Sequence, residues 1–197
     1  MRPQRAVGLL VAVGLLSACA SIRGSGDIVS EAREVGSFTR VDASEGVRVQ
    51  LVVDPAAESA VTVRYDDNVL GKVITRVDGG TLEVRIDGTV ALGGGGDRYV
   101  EIVVPGLTGV GADSGASVTG SGSLAGLEVN GTGGASVDLG GLEAERIDIM
   151  VSGGARVTIR ASDAVEGEAS GGARLTVLGD PGRVDVATSG GASVSSS

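Results

Sequence analysis

The sequence contains no histidine, a single cysteine and very few aromatic side chains. Among its 197 residues are two tyrosines, one phenylalanine and no tryptophan, so aromatic residues make up only 2% of the chain. Without histidine the chain has no Ser/His/Asp or Cys/His triad and no imidazole ligand for a metal ion. One cysteine excludes a disulfide framework and a zinc knuckle.

Basic residues are outnumbered by acidic ones, 16 to 25, which gives a net charge of −9. Proteins that bind nucleic acid use a basic stripe and aromatic stacking platforms, and this chain offers neither, so we exclude nucleic acid as a partner. Glycine is abundant, with 35 residues, but it has no three-residue period and there are only four prolines, which excludes collagen. Alternating Val, Ile and Leu argue against disorder.

The one uninterrupted apolar run lies close to the N-terminus. Arg2 and Arg5 precede it, and the run itself, Ala6 to Leu16, is eleven residues long. As a helix it would extend about 16 Å, whereas a bilayer core is about 30 Å thick. A charged start, a short apolar run and small residues before a cleavage site are typical of a secretory signal peptide, which we assign to residues 1–18.

The sequence Leu16-Ser17-Ala18-Cys19 resembles the lipobox of bacterial lipoproteins. It predicts cleavage between Ala18 and Cys19 and acylation of Cys19, with palmitate among the chains; the alternative is a lone buried cysteine in a cleaved peptide. Two or three acyl chains anchor a protein stably where one does not. We therefore expect an exported, membrane-anchored lipoprotein of the bacterial cell envelope. Because Ala20 rather than Asp follows the cysteine, its membrane would be the outer one in a Gram-negative cell.

Beyond the signal peptide the chain divides by composition. Residues 19–34 are polar and small, which predicts the lipidated cysteine followed by a flexible tether. Residues 35–105 hold apolar runs of four to seven residues with period two, as in Val47-Arg48-Val49-Gln50-Leu51. This pattern is typical of half-buried, antiparallel strands, and it predicts an N-terminal β lobe.

Residues 106–197 contain an internal repeat. A Gly-rich corner motif recurs five times, with Ala-to-Ala spacings of 18 to 20 residues. Its copies are Ser114–Val118, Thr132–Val137, Ser152–Val157, Ser170–Leu175 and Ser189–Val194. Glycine supplies the positive φ of a tight corner and alanine lets successive coils stack. We therefore predict an all-β chain in which N-terminal antiparallel strands lead into a β-helix-like solenoid of about five coils, with one inward column. Its members would be Val118, Val137, Val157, Leu175 and Val194.

The order of several segments resembles that of a known family. The segments are Phe38-Thr39-Arg40-Val41, Gly46-Val47-Arg48-Val49, Tyr65-Asp66-Asp67-Asn68-Val69-Leu70, Gly80-Thr81-Leu82-Glu83-Val84 and Val103-Val104-Pro105-Gly106-Leu107, followed by the repeated corners. Together they resemble the head GIN domain of auto-transporter adhesins, over about residues 35–195. The resemblance implies an all-β fold with β-helix-like stacking in envelope lipoproteins. It implies no established activity and no catalytic residues.

Three groups of residues suggest chemistry. Asp66-Asp67-Asn68 carries oxygen ligands suited to calcium, but we favour an Asx turn because three adjacent residues cannot all face one ion. Gly93-Gly94-Gly95-Gly96-Asp97 is similar to a calcium-binding repeat, but it occurs once and we favour a hairpin loop. Stacked carboxylates with nearby arginines could cleave glycans, or could simply keep the strands soluble, which we favour. The acids are Asp138, Glu143, Glu145, Asp163, Glu166, Glu168 and Asp185, and the arginines are Arg156, Arg160 and Arg174.

We interpret the chain as a lipid-anchored envelope protein with a non-enzymatic, adhesin-like β-solenoid that acts as a binding or spacer module. We expect no catalytic residue, metal or cofactor. Its partners would be the membrane, through the lipid on Cys19, and an envelope protein or glycan. The last coil leaves an open edge, which predicts weak homodimerisation through the C-terminal end. The alternatives are a glycan-active β-helix enzyme, a lyase or hydrolase, and an accessory of envelope stress or signalling.

Overall fold

The computed structural model describes residues 21–92 and 97–197. These residues form sixteen strands and one short helix. The elements are β1 (Ile22–Arg23), β2 (Ile28–Ala32), β3 (Arg40–Ala43), β4 (Arg48–Val53), β5 (Ala60–Asp66), α1 (Asp67–Leu70), β6 (Val73–Asp78), β7 (Thr81–Ile86), β8 (Val90–Ala91), β9 (Tyr99–Val104), β10 (Gly109–Ala112), β11 (Ser117–Gly131), β12 (Ser136–Val151), β13 (Arg156–Ala169), β14 (Arg174–Leu178), β15 (Arg183–Thr188) and β16 (Ser193–Ser196). Within these ranges no helix is long and apolar enough to span a membrane.

Fourteen of the strands form one curled sheet, while β1 and β8 pair separately. The curl arises because β11, β12 and β13 each bend in mid-strand, where their pairing shifts register, for example between Leu139 and Glu143. Their C-terminal halves join β7, β3, β10 and β15 in one parallel ladder, which we call the first ladder. Their N-terminal halves join β9, β4, β14 and β16 in the second ladder.

The core lies inside the curl and is built from registered apolar columns. The predicted column is present in the second ladder, with Val118 paired to Val137, Val157, Leu175 and Val194 in turn. It continues through Val49 into the N-terminal half. Since inward side chains alternate with outward ones along a strand, most strands present polar side chains to solvent, whereas β10 is buried throughout. The outward rows therefore determine the chemistry of the molecule's surface.

The repeated motifs are tight corners that connect the two ladders. In each of the five, the alanine N–H donates to the carbonyl three residues earlier, at 2.9 to 3.3 Å. The first glycine of a corner has positive φ, +66° at Gly153, and a Cβ there would lie 3.1 Å from the backbone nitrogen of Gly133 in the preceding corner. At Gly153 both the dihedral angle and the stacking therefore favour glycine. A sixth corner, which the sequence pattern missed, lies at Ser44 to Val47, with Glu45 at φ 56°.

The prediction of antiparallel strands in the N-terminal half is met by some strands and was wrong for others. Antiparallel pairing occurs between β2 and β5, β5 and β9, and β6 and β7, whereas β3 and β4 pair only in parallel, and β7 and β9 each have one parallel and one antiparallel neighbour. The reason is that β3 and β4 continue the same two ladders, joined by the corner at Ser44 to Val47. The halves on either side of residue 105 thus share one sheet and one core.

The tether predicted over residues 19–34 differs from the structure from residue 22 onward. Ile22 pairs with Val90, and β2 lies along β5 as an antiparallel edge strand. Polar, small residues can pair at a sheet edge because only one face of such a strand needs to be apolar. The all-β prediction is confirmed, and the pairings establish a curled open sheet. The pairings do not establish the predicted solenoid of five complete β-helix coils.

Candidate functional site

The outward side of the first ladder carries two rows of acidic side chains. One row runs Thr81, Arg40, Gly109, Glu128, Asp148, Glu166, Asp185, and the other runs Glu83, Asp42, Gly111, Asn130, Met150, Glu168, Ala187. Adjacent members of a row lie about 4.8 Å apart, the spacing of paired strands. We call this surface the acidic face, because these rows hold seven carboxylates and one guanidinium.

Two glycines of β10 create a notch in the acidic face. A Cβ at Gly109 would lie 2.6 Å from the Cζ of Arg40, and a Cβ at Gly111 would lie 2.1 Å from Oδ1 of Asp42. The side chains of Arg40 and Asp42 on β3 thus occupy space next to these glycines that the side chain of any other residue would fill. Arg40 reaches across to Glu128 in a two-bonded contact, with Nη1 at 2.8 Å from Oε2 and Nη2 at 3.1 Å from Oε1.

The notch opens into a cleft of about 470 Å³. Its lining includes Arg40, Asp42, Glu83, Arg85, Asp113, Asn130 and Thr132. Burial raises the pKa of Asp42, with further contributions from Asp113, Glu83 and Glu128, while Arg40 opposes the rise. The pKa of Glu128 is lowered by hydrogen bonds from Arg40 and Asn130. The charged groups that line the cleft are therefore three carboxylates, Asp42, Glu83 and Asp113, and two guanidiniums, Arg40 and Arg85.

A second cleft, of about 310 Å³, continues along the same face. Asn130 lines both clefts, so the two adjoin on the acidic face. At its centre the Met150 side chain is 60% exposed, although the neighbouring acids would favour a polar residue there. Flexible methionine side chains adapt to varied partners. An exposed methionine between Asp148 and Glu168 is therefore suited to contact a ligand.

The outward side of the second ladder has the opposite character. Its rows contain the arginines Arg48, Arg156 and Arg174 and the acids Glu101 and Asp138, separated by serine, threonine and glutamine. We call this surface the arginine face. The net charge of the chain is thus divided unevenly between two surfaces on either side of one core, and an ionic partner would distinguish them.

The predicted stacked acids do not form one site. Glu166, Glu168 and Asp185 lie on the acidic face, and Asp138 lies on the arginine face together with Arg156 and Arg174. The remaining predicted residues are elsewhere. Glu143 and Glu145 line a separate surface depression at the bend, Asp163 forms an ion pair with Arg146 at 2.9 Å, and Arg160 donates to the carbonyl of Gly140 at 2.8 Å.

The acids that sequence reasoning missed are Asp42, Glu83, Glu128 and Asp148. A usable signal was present for two of them, because Glu128, Asp148, Glu166 and Asp185 follow one another at the 18- to 20-residue spacing of the corners. The other two, on β3 and β7, were hidden because their strands lie outside the repeat. Extending the repeat period to polar positions would have found half of the acidic face.

Asp66, Asp67 and Asn68 use their oxygens to hold the N-terminal segment. The Asp66 carboxylate accepts two bonds from Arg98, one of them at 2.9 Å from Nη2, and a third at 2.7 Å from the backbone N–H of Gly26. Asp67 accepts a bond from Ser25 Oγ at 2.6 Å, and Asn68 Oδ1 one from Ser25 N–H. The favoured Asx turn is thereby replaced by contacts distant in sequence. Among the described residues no group of acids could hold a metal ion.

Two predicted sites lie outside the described residues. They are Cys19, with its cleavage position after Ala18, and the Gly93–Gly96 segment of the calcium-like loop. Both remain predictions from sequence.

Among solved structures, a "putative adhesin" from Bacteroides fragilis NCTC 9343 has the same fold; it is 16% identical with a TM-score of 0.56 and covers 90% of this chain and 100% of its own. A second "putative adhesin", from Parabacteroides merdae ATCC 43184, is 12% identical with a TM-score of 0.47, covering 90% of this chain and 99% of its own. No curated protein matches the sequence. The family model described as "Putative auto-transporter adhesin, head GIN domain" matches residues 37–125 and again 87–181. The chain therefore belongs to the auto-transporter adhesin head GIN domain family.

Proposed function

We propose that this protein is an envelope-anchored, non-enzymatic, adhesin-like binding module, and that the acidic face binds a positively charged envelope protein or glycan. The observation that carries the proposal is the row of four carboxylates on consecutive strands of the first ladder, Glu128, Asp148, Glu166 and Asp185. Asp42, Glu83 and Glu168 lie in the parallel row on the same face. Aligned charges attract an oppositely charged partner at long range and fix its orientation on contact. Membership of an adhesin-like family supports a binding role.

We further propose that the curled sheet is a short solenoid of five coils, each ending in a Gly-rich corner. The repeated corner hydrogen bonds and the registered columns support this description. In such a stack the last four coils each add one carboxylate to the first row of the acidic face, and the first coil contributes Gly109. The length of the binding surface would then follow from the number of repeats, as it does in other solenoid proteins.

Anchoring through acylated Cys19 belongs to the same proposal. Ile22 pairs with Val90, so only residues 20 and 21 lie between the cysteine and β1 in the sequence. The domain would therefore sit close to the membrane with β1 and β2 nearest to it. Cys19→Ser should abolish incorporation of labelled palmitate in the producing cell. Unchanged labelling of that variant would contradict the anchor.

The binding proposal is tested by retrieving partners from the envelope with a tagged chain at low and high salt. Because exposed charges are screened by salt, we expect the retrieved partner to be lost between about 0.05 and 0.5 M. The combined variant Asp148→Asn, Glu166→Gln, Glu168→Gln should lose it at low salt. A matched variant on the arginine face, Arg156→Gln with Arg174→Gln, should retain it. Equal retrieval by all three proteins would contradict the assignment of the acidic face.

One observation favours the glycan-active alternative. The cleft at Gly111 holds Asp42, whose pKa is raised by burial, close to Asp113 and Glu83. Two neighbouring carboxyl groups, one of them with a raised pKa, are the arrangement used in glycoside hydrolysis. If the cleft were catalytic, the protein would release new sugar ends from envelope polysaccharide, and Asp42→Asn would abolish the release. The binding proposal predicts no release by either protein.

A further inference from the structure

The two ends of the curled sheet are built differently. At the N-terminal end the last pairings are antiparallel, with β2 outside β5 and β6 outside β7, and Tyr65, Val69 and Val73 are buried nearby. At the C-terminal end, within the described residues, β15 pairs on one side with β13 and β16 on one side with β14. Their other edges leave backbone N–H and C=O groups available to a further strand.

The core is uncovered at that C-terminal end. In the inward column of the first ladder, Ile147 pairs with Val165 and Val165 with Val184. Their exposures are 2%, 0% and 43%, although all three occupy the same kind of position. The loss of burial occurs at β15 because, among residues 21–92 and 97–197, only β13 pairs with this strand. An apolar side chain next to an open strand edge can be buried by a strand that pairs with that edge.

The sequence of β15 is complementary to itself in one antiparallel register. If two copies of β15 meet with Val184 opposite Val184, then Arg183 of each copy lies opposite Asp185 of the other. Directly opposed residues of an antiparallel pair share a face, so the valines meet on the core side and the charges meet on the outer side. If the two copies met instead with Asp185 opposite Asp185, the two carboxylates would face each other.

We propose that the C-terminal edge binds the same edge of a second copy of this chain, with β15 strands antiparallel and a twofold axis through Val184. Two attractive charge pairs form at once because the contact is symmetric. Closing the edge also buries Val184 and satisfies backbone groups of the strand. The contact is small, so the dimer is weak and depends on the high local concentration of a membrane-anchored protein.

The test uses cysteine cross-linking of the full chain in the producing cell. Directly opposed strand positions bring their Cβ atoms to within disulfide range, so Val184→Cys should give a covalent dimer under mild oxidation. Val29→Cys is the matched control, since Val29 is 39% exposed and lies on β2 at the other end. Ala187→Cys controls for register, because in the proposed pairing Ala187 lies opposite Pro181. The unmodified chain measures any background from Cys19.

We expect Val184→Cys to cross-link at least about tenfold more than either control. Equal cross-linking of Val184→Cys and Val29→Cys would overturn the interface, and equal cross-linking of Ala187→Cys would overturn the register. In the Val184→Cys background, Arg183→Asp should lower the dimer fraction about tenfold, and Arg183→Asp with Asp185→Arg should restore it. Failure of that rescue would also overturn the proposal. Retrieval of a partner by the acidic face is measured in a separate experiment. Failure of the dimer proposal can therefore be distinguished from failure of the proposed binding function.

Discussion

The buried ion pair between Asp66 and Arg98 makes the sharpest prediction about stability. The Asp66 side chain is fully buried and that of Arg98 is 8% exposed. Removing the charge of one partner of a buried ion pair typically costs about 3–5 kcal/mol. Asp66→Asn removes the charge while preserving the shape of the side chain. We therefore expect a loss of roughly 3 kcal/mol in the free energy of unfolding.

The matched control is Asp87→Asn, which removes a carboxylate of an exposed pair. Asp87 is 55% and its partner Arg85 42% exposed, and such pairs contribute about 0–1 kcal/mol. Urea unfolding followed by circular dichroism measures both variants under the same conditions. Because Asp66 also accepts the N–H of Gly26, trypsin should cleave after Arg23 faster in Asp66→Asn. Equal destabilisation by the two variants would refute the reasoning.

The same pair sets a dependence on pH. Hydrogen bonds from Arg98 lower the pKa of Asp66 from its ordinary 3.8 to about 2. A carboxyl whose pKa is lower in the folded state stabilises the protein fully above the unfolded value and loses that contribution as the pH falls through the folded one. The wild-type protein should therefore lose this increment of stability between about pH 4 and pH 2. Asp66→Asn should show a correspondingly shallower decline over that interval.

Further predictions concern the corners. Ser114 occupies the position of a corner glycine with φ 48°. Ser114→Gly should therefore raise the unfolding free energy by up to about 1 kcal/mol, whereas Ser114→Ala should not. Urea titration measures the unfolding free energy of both variants. Gly153→Ala should cost about 1–2 kcal/mol, because its φ is +66° and the new Cβ would meet the corner below. Gly154→Ala is the control, with open space and no positive φ, and an equal loss at both positions would contradict the stacked-corner geometry.

The corners and their register followed from the sequence because the requirements are local. A positive φ next to a stacked backbone admits little except glycine, so the same letters recur wherever the geometry recurs. The corner at Ser44 to Val47 was missed because Glu45 tolerates the left-handed conformation there at some cost. Because that corner was not predicted, the sequence did not show that β3 and β4 belong to the two ladders.

The acidic face and the buried pair were harder to predict because they depend on pairings distant in sequence. Glu128 meets Arg40 only because β3, β10 and β11 are neighbours, a contact between residues 88 positions apart. Asp66 and Arg98 are separated by 32 positions, and the predicted turn hid that contact. Local pattern could suggest an Asx turn at Asp66, but only the fold brings Arg98 and Gly26 to the same carboxylate.

Site-specific photo-cross-linking tests the central claim most directly. A cross-linking residue is placed at Met150, which is exposed at the centre of the acidic face, or at Ser136, which is exposed on the arginine face of the same strand, β12. Cells producing the full chain are irradiated, and the adducts are identified by mass spectrometry. The account predicts one dominant adduct from Met150 that is absent from Ser136. The same adducts from both positions, or none from Met150, would contradict it.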